Sequence, residues 1–492
     1  MIPPSPIVQD LLTHLARLGV REFCVAAGAR NAQIIAALQA SRGIKIWNFF
    51  EERCAGFFAL GRMIHDRAPV AVVTTSGTAA AELLPAVIEA HYQGLPLIVI
   101  TADRPPHYRG SGAPQAIEQV GLFGSYALPT IDITGETADL AWPTALSLRP
   151  LHINICLEEG VAADTAGIDF ENLPASDAAA ADHAPPTALL EFLRHDPVVL
   201  AGGLHPAQAT ALWSFLENLG APVIAEATAN LHGHPCLVRG GEAQLAALNP
   251  SHVLRLGSVP SWRWWRDLED RSEVSVLNLT PSLFPGLARK ENVRTFPLSS
   301  ALPSVPRSER QLPADILTQS PPLSEAAWMD HLAAAIPPGA RVFLGNSLPI
   351  REFNQIKTPL HRDTVCYANR GANGIDGLVS TFLGISATAS ESWIILGDLS
   401  ALYDLAAPWI IDQLPPGNRR IVVINNGGGK IFSKVASLRS LPDVTRAIIE
   451  NRHTLTFAPW ADLWHIPYRQ ATHPHHLQNL ADGPVLIEVT PS

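Results

Sequence analysis

Asp398 and Asn426 stand twenty-eight positions apart, and each follows a short apolar run. Trp393-Ile394-Ile395-Leu396 stops at Gly397-Asp398-Leu399-Ser400, and Ile421-Val422-Val423-Ile424 stops at Asn425-Asn426-Gly427-Gly428-Gly429. Between them Leu402, Leu405, Ala406, Trp409 and Ile410 recur at helical spacing. Two β-rich runs joined by a helix-length segment predict a parallel βαβ unit. Both strands then end on one edge of the sheet, where α/β proteins bind ligands. Asp398 and Asn426 are therefore expected side by side. A carboxylate, an amide oxygen and a backbone carbonyl freed by the glycine run form a hard oxygen set. Mg²⁺ accepts such a set when a phosphate supplies the remaining ligands.

A pair of adjacent carboxylates opens a helical pattern in Phe50-Glu51-Glu52-Arg53-Cys54-Ala55-Gly56. Either one could simply favour the helix dipole, and these residues alone do not choose between Glu51 and Glu52.

The elements that must position these groups alternate regularly. A helix is expected over 6–18 and a strand over 23–26 that ends at Ala27-Gly28-Ala29-Arg30. A strand over 44–50, a helix over 54–65, a strand over 70–74, the turn Ser76-Gly77-Thr78 and a helix over 79–92 follow. A strand over 97–101 ends at Ala102-Asp103-Arg104-Pro105-Pro106. Short apolar strands alternating with helices mean a parallel sheet covered on both faces. Crossovers of one hand put the strand-end loops on one edge, so Arg30, Glu52, Ser76 and Arg104 should converge. Residues 158–186, rich in Ala, Asp and Pro, read as a linker. A second α/β pattern occupies 198–277 and carries no phosphate-type motif; its Gly202-Gly203 turn is too poor in glycine for a dinucleotide site. The cluster Trp262-Arg263-Trp264-Trp265 reads as core or interface packing, and 301–320 as a second linker. In a third block, 342–344 ends at Gly345-Asn346-Ser347-Leu348, 366–368 at Asn369-Arg370-Gly371-Ala372, and 485–489 is the last strand.

At 492 residues the chain has room for about three domains. No apolar run approaches the roughly 20 residues of a membrane span, and the start lacks a signal-peptide pattern, so a cytoplasmic protein is expected. A net charge of −10 excludes a large nucleic-acid footprint. Only five of the 35 basic residues are Lys, so no single Arg is informative by itself. The five Cys are scattered and read as reduced thiols. His473-Pro474-His475-His476 reads as a polar loop rather than a metal site. The absence of Gly-x-Gly-x-x-Gly after the first strand argues against a nicotinamide dehydrogenase.

The Asp398–Asn426 pattern resembles the metal–diphosphate motif of thiamine-diphosphate (ThDP) enzymes, with Leu399 where most have Gly. The form Gly-Asp-Leu-Ser-Ala-Leu-Tyr-Asp is similar instead to one branch, the SEPHCHC synthases (2-succinyl-5-enolpyruvyl-6-hydroxy-3-cyclohexene-1-carboxylate synthases) of menaquinone biosynthesis. Asp103-Arg104-Pro105-Pro106, with Gly112-Ala113-Pro114-Gln115-Ala116-Ile117, carries the resemblance furthest. It implies an α/β fold of three domains: pyrimidine-binding over 1–160, central over 187–300 and diphosphate-binding over 322–492. It implies ThDP with Mg²⁺ or Mn²⁺, held by Gly397, Asp398, Leu399, Ser400, Asn426 and Gly428, with Ile375 keeping the cofactor bent. The family pattern puts the catalytic carboxylate second, at Glu52, which acts at N1′ of the aminopyrimidine.

The implied reaction decarboxylates 2-oxoglutarate and adds the succinyl-semialdehyde carbanion to isochorismate. Both substrates are polycarboxylates, for which Arg is the expected partner. Matching positions imply Arg30, Arg104, Arg263, Arg351 and Arg370 as carboxylate binders, Ser347 and Gln115 as hydrogen-bonding partners, and Ile431 and Phe432 as pocket lining. The sequence departs from the family at Ala29, at Asn31-Ala32-Gln33, at Trp262, where Lys is common, and at Asn373. The resemblance further implies a homodimer or homotetramer in which each site is shared between subunits. Two other readings are another ThDP-dependent 2-oxoacid decarboxylase or carboligase with a different acceptor, and a catalytically silent paralogue; intact Glu52, Asp398 and Asn426 oppose the latter.

Overall fold

The structure, a computed structural model, describes residues 6–135, 142–160, 165–173, 187–282, 284–298 and 302–492. Among these, strands form three sheets of six, five and six, and every strand pair is parallel. The α/β class expected from the alternation is the one observed. The chain gathers into two compact units. One holds Met1–Ala180 with Gly377–Ala387 and Ala406–Pro415; the other holds Ala181–Asp376, Thr388–Leu405 and Pro416–Ser492.

The sheet of the first unit runs, in spatial order, Lys45–Phe49, Glu22–Ala26, Val70–Thr74, Ile98–Asp103, Leu151–Cys156, Ile131–Ile133. Val70–Thr74 is buried at every position, as a central parallel strand must be. The helix expected over 79–92 is two, Thr78–Ala81 and Leu84–Gln93. Pro85 explains the break: its ring would meet the carbonyl of residue 81 in a continuous helix. Part of the expected first linker is not loose. Phe170 is fully buried and meets the Phe23 ring edge-on at 5.8 Å, and Arg42 and Asp169 form a parallel bridge. Residues 161–164 and 174–186 of that linker lie outside the described residues.

Two late segments complete this unit. Helix Glu52–Asp66 is buried at ten consecutive positions from Cys54 to Met63, and Leu378–Ser386 at all nine of its positions. They cross on glycines. A Cβ on Gly61 would lie 2.0 Å from the Thr381 carbonyl oxygen, and one on Gly384 2.3 Å from that of Phe58. The 3-10 segment Ala407–Gln413 closes the far edge, where the Trp409 indole donates to the Asn48 carbonyl at 3.0 Å.

The single helix expected between Asp398 and the next strand is therefore corrected. It is a short helix, Asp398–Tyr403, in the second unit and the 3-10 segment Ala407–Gln413 in the first. Pro408 would oppose the carbonyl of residue 404 in a continuous helix.

The second unit carries two sheets. The central one runs Val293–Pro297, Ser275–Thr280, His252–Leu256, Val198–Ala201, Val223–Ala225. Trp262 and Trp265 are buried in its core, as the tryptophan cluster suggested. Gly202 and Gly203 serve packing: a Cβ on Gly202 would lie 2.2 Å from the Ser258 carbonyl oxygen. The stretch 302–320 is pinned rather than free, because Leu302, Val305 and Leu312 pack on the core and Asp315 pairs with Arg239 at 2.8 Å. The last sheet runs Val365–Tyr367, Arg341–Leu344, Glu391–Gly397, Asn418–Ile424, Pro484–Val489, Tyr468–Ala471. Among the described residues, no helix is long and apolar enough to cross a membrane.

Candidate active site

In the last sheet Gly397 pairs with Ile424, so the turns carrying Asp398 and Asn426 leave the same edge side by side, as expected. Asp398 is 2 % exposed. Its Oδ1 accepts the Leu399 N–H at 2.7 Å and its Oδ2 the Gly428 N–H at 2.9 Å. His453 Nε2 stands 3.3 Å from Oδ2, within ion-pair reach. Gly428 has φ 131°, and a Cβ there would lie 2.5 Å from the Glu450 carbonyl oxygen, so only glycine suits the position. Its carbonyl accepts the Lys430 N–H at 2.8 Å, which leaves one lone pair for another partner.

The Asn426 amide is held at one end only. Its Nδ2 donates to Glu325 Oε2 at 2.8 Å, while its Oδ1 is buried with no hydrogen-bond partner among the described residues. A buried carbonyl oxygen without a donor is costly unless something else fills the role. A buried carboxylate, an orphaned amide oxygen and a half-free carbonyl form a donor set that fits a hard divalent cation. A Cβ on Gly397 would meet nothing within 4 Å, so this edge is open, and Ser400 behind it is buried.

Beside this set, Ser347 takes φ 76°, a conformation strained for a residue with a Cβ. Its carbonyl accepts Arg351 Nη1 at 2.6 Å. Arg370 Nη1 donates to Asn346 Oδ1 at 3.0 Å, and its Nε is buried without a partner. Burial first, and the nearby Arg370 guanidinium second, push the Arg351 pKa down. Two neighbouring guanidiniums, one of them with a buried donor left unmet among the described residues, make a setting that suits an anion. Arg263 is not brought to it: its side chain is 66 % exposed and lies 3.5 Å from Asp267, just past the end of its helix. Arg266, which the sequence reading passed over, ends the short helix Arg263–Arg266 and is near enough to act on Arg351. Ile375 and Ile431 are half-buried, and Phe432 is 37 % exposed, its ring over Gly429.

In the first unit, Glu51 and Glu52 separate. Glu51 caps helix Glu52–Asp66, accepting the N–H groups of Arg53 at 3.1 Å and Cys54 at 2.9 Å. Glu52, half-buried, has its pKa raised, chiefly by burial and then by Glu51 and Glu82. Arg30 and Arg104 meet on one carboxylate. Arg30, 6 % exposed, holds Glu159 Oε1 at 2.7 Å and the Leu157 carbonyl at 2.9 Å, and Arg104 lies 3.9 Å from the same Oε1. Arg104 Nε also donates to the Pro114 carbonyl at 2.8 Å. Gln115, at φ 57°, packs over Gly77, whose N–H is held by Gln119. Ser76 is buried below them.

Sequence reasoning missed Glu159, Glu325, Glu352 and Lys434. Glu325 opens helix Glu325–Ala335, a place where an acidic residue is ordinary. Its pKa is pushed up to about 7 by burial and then by Glu352. Lys434 pairs with Glu352 Oε1, while Glu352 Oε2 is buried without a partner.

Residues 7–122 match the family described as thiamine pyrophosphate enzyme, N-terminal TPP binding domain. The whole chain is similar to proteins named 2-succinyl-5-enolpyruvyl-6-hydroxy-3-cyclohexene-1-carboxylate synthase. The one from Bdellovibrio bacteriovorus is 38 % identical over 99 % of this chain and 96 % of its own. That from Akkermansia muciniphila is 39 % identical over 100 % and 97 %, and that from Halorhodospira halophila 32 % over 94 % and 90 %.

Proposed function

The chain belongs to the 2-succinyl-5-enolpyruvyl-6-hydroxy-3-cyclohexene-1-carboxylate synthase family, and from that premise we propose that it decarboxylates 2-oxoglutarate and joins the remaining four carbons to isochorismate. It is a ThDP-dependent transferase of menaquinone biosynthesis. Likeness over nearly the full length of both proteins carries this reading.

Bound ThDP supplies a carbon nucleophile and an electron sink for decarboxylation. The residues do the rest. Glu52 holds and returns a proton at N1′ of the aminopyrimidine. Its raised pKa supports this role, because such a carboxyl exchanges protons nearer neutral pH. Asp398, Asn426 and Gly428 would hold Mg²⁺ or Mn²⁺, Gly397, Leu399 and Ser400 would border the diphosphate, and Ile375 would pack against the cofactor. The orphaned Asn426 Oδ1 supports the cation. Arg30, Arg104 and Gln115, and separately Ser347, Arg351 and Arg370, bind substrate carboxylates and hydroxyls. The shared Glu159 carboxylate, standing where a substrate carboxylate would, supports the first group. Ile431 and Phe432 exclude water beside the reacting atoms. The protein works in the cytoplasm as a homo-oligomer; its five free, buried thiols support that compartment.

The test is product analysis by mass spectrometry with 2-oxoglutarate, with and without isochorismate. The adduct is expected only with both substrates. Decarboxylation of 2-oxoglutarate with no adduct to isochorismate would leave a decarboxylase with another acceptor.

A further inference from the structure

We propose that Glu325 is a positioning residue that sets which end of the Asn426 amide faces the cation, an inference that rests on the cation site proposed above. The two ends of an asparagine amide are nearly equal in size, but one only donates and the other only accepts. A cation takes the accepting end alone. Left to itself, Asn426 would present either.

Glu325 Oε2 sits 2.8 Å from Asn426 Nδ2. In its ionised form Glu325 accepts and does not donate, so it takes the NH₂ end of the amide. Oδ1 is thereby turned the other way, and it is buried there with no partner among the described residues.

Both residues are held by rigid elements. Ser324 caps the helix that Glu325 opens, accepting the Ala327 N–H at 3.3 Å and donating to the Pro321 carbonyl at 2.7 Å. Trp328, Met329 and Leu332 anchor that helix in the core. Asn426 follows strand Asn418–Ile424 through Asn425, whose amide donates to Glu488 Oε1 at 2.7 Å and to the Leu455 carbonyl at 2.8 Å. Helix capping does not account for Glu325. One oxygen points at Asn426, and the other is buried with no partner. A carboxylate buried in that way weakens a fold, and its retention calls for another use. The arrangement is that of an outer-shell residue orienting a ligand, where a change typically costs 10–100-fold in metal affinity.

The experiment titrates Mg²⁺ into the full chain with saturating ThDP, by calorimetry, for wild type, E325Q, E325A and E325S. The thermal midpoint of each protein without metal or ThDP is measured alongside. Glutamine can donate as well as accept and so no longer dictates which way Asn426 turns; E325Q should fall between wild type and E325A in Mg²⁺ affinity. E325A and E325S should each lose roughly 10–100-fold in Mg²⁺ affinity, with metal-free midpoints at or above that of wild type. Mg²⁺ affinity within twofold of wild type in either E325A or E325S overturns the proposal. So does a fall in metal-free midpoint with affinity unchanged, which marks a purely structural residue. Wild-type protein that binds ThDP without any divalent cation overturns the cation site itself, and with it this role for Glu325.

Discussion

Glu51 and Glu52 are adjacent in the chain and differ in what their carboxylates touch. Glu51 closes two backbone N–H groups at the start of helix Glu52–Asp66. Glu51→Ala should therefore cost about 1 kcal/mol of stability, the usual value of an N-cap, and leave exchange of the cofactor C2 proton largely intact. Glu52→Gln should do the reverse, slowing that exchange, read by NMR, with little change in thermal midpoint. Equal effects from the two changes would remove the division of labour. Arg104→Ala tests the carboxylate pair formed with Arg30 on Glu159. A charge-assisted contact is worth about 1.5–3 kcal/mol, so kcat/KM for 2-oxoglutarate should fall roughly 10–100-fold while C2 exchange persists. His152 governs a different property. It is buried between Thr101 Oγ1 at 2.8 Å and Thr130 Oγ1 at 3.0 Å, and burial pushes its pKa down to about 4, against a smaller opposing effect of Asp132. The unfolded chain takes that proton near pH 6.5 and the folded one only near pH 4. Between those values the unfolded state binds more protons, so stability falls as pH is lowered, by on the order of 3 kcal/mol. Above pH 6.5 the group contributes no slope. Chemical denaturation from pH 7 to 4 should show the loss, and His152→Gln should flatten it.

At the scale of elements, the glycine crossing of helix Glu52–Asp66 with Leu378–Ser386 tolerates little change. Any Cβ at Gly384 meets backbone, which cannot swing aside as a side chain can. Gly384→Leu should cost at least the 1–3 kcal/mol of ordinary overpacking, seen as a lower midpoint in urea unfolding; a neutral result would mean that the helices can part freely. The crossing was not legible in the sequence, because Gly61 and Gly384 lie in segments more than three hundred residues apart with no shared motif. The strands were legible, since a buried parallel strand is a short apolar run whatever surrounds it. So was the meeting of Asp398 with the Asn426 turn, which follows from parallel pairing alone. The helices at 79–92 and 402–410 were misread because apolar spacing outweighed Pro85 and Pro408. Glu325 was invisible for another reason. Its bond to Asn426 spans 101 positions, and an acidic residue at a helix start attracts no notice.

At the scale of the whole molecule, the resemblance places each site between the first domain of one subunit and the third domain of another. If so, inactive Glu52→Gln chains mixed with inactive Asp398→Ala chains should regain part of the activity, since one kind of site then draws both intact residues. No recovery, with subunit exchange demonstrated by mass spectrometry, would count against a shared site.

The late segments of the first unit also bear on how the protein is made. Helix Glu52–Asp66 is enclosed only when Leu378–Ser386 lies against it, and the edge strand Lys45–Phe49 is closed only by Ala407–Gln413. On the ribosome these arrive about two hundred residues after residue 180. At about 5–20 residues per second the wait is on the order of ten to forty seconds. Throughout it Phe57, Phe58 and Met63 sit beside a groove that its proper occupant has yet to fill. The nascent chain is thus a client for chaperones until its synthesis nears completion, and a ribosome stalled between the two units would release a fragment with an open flank.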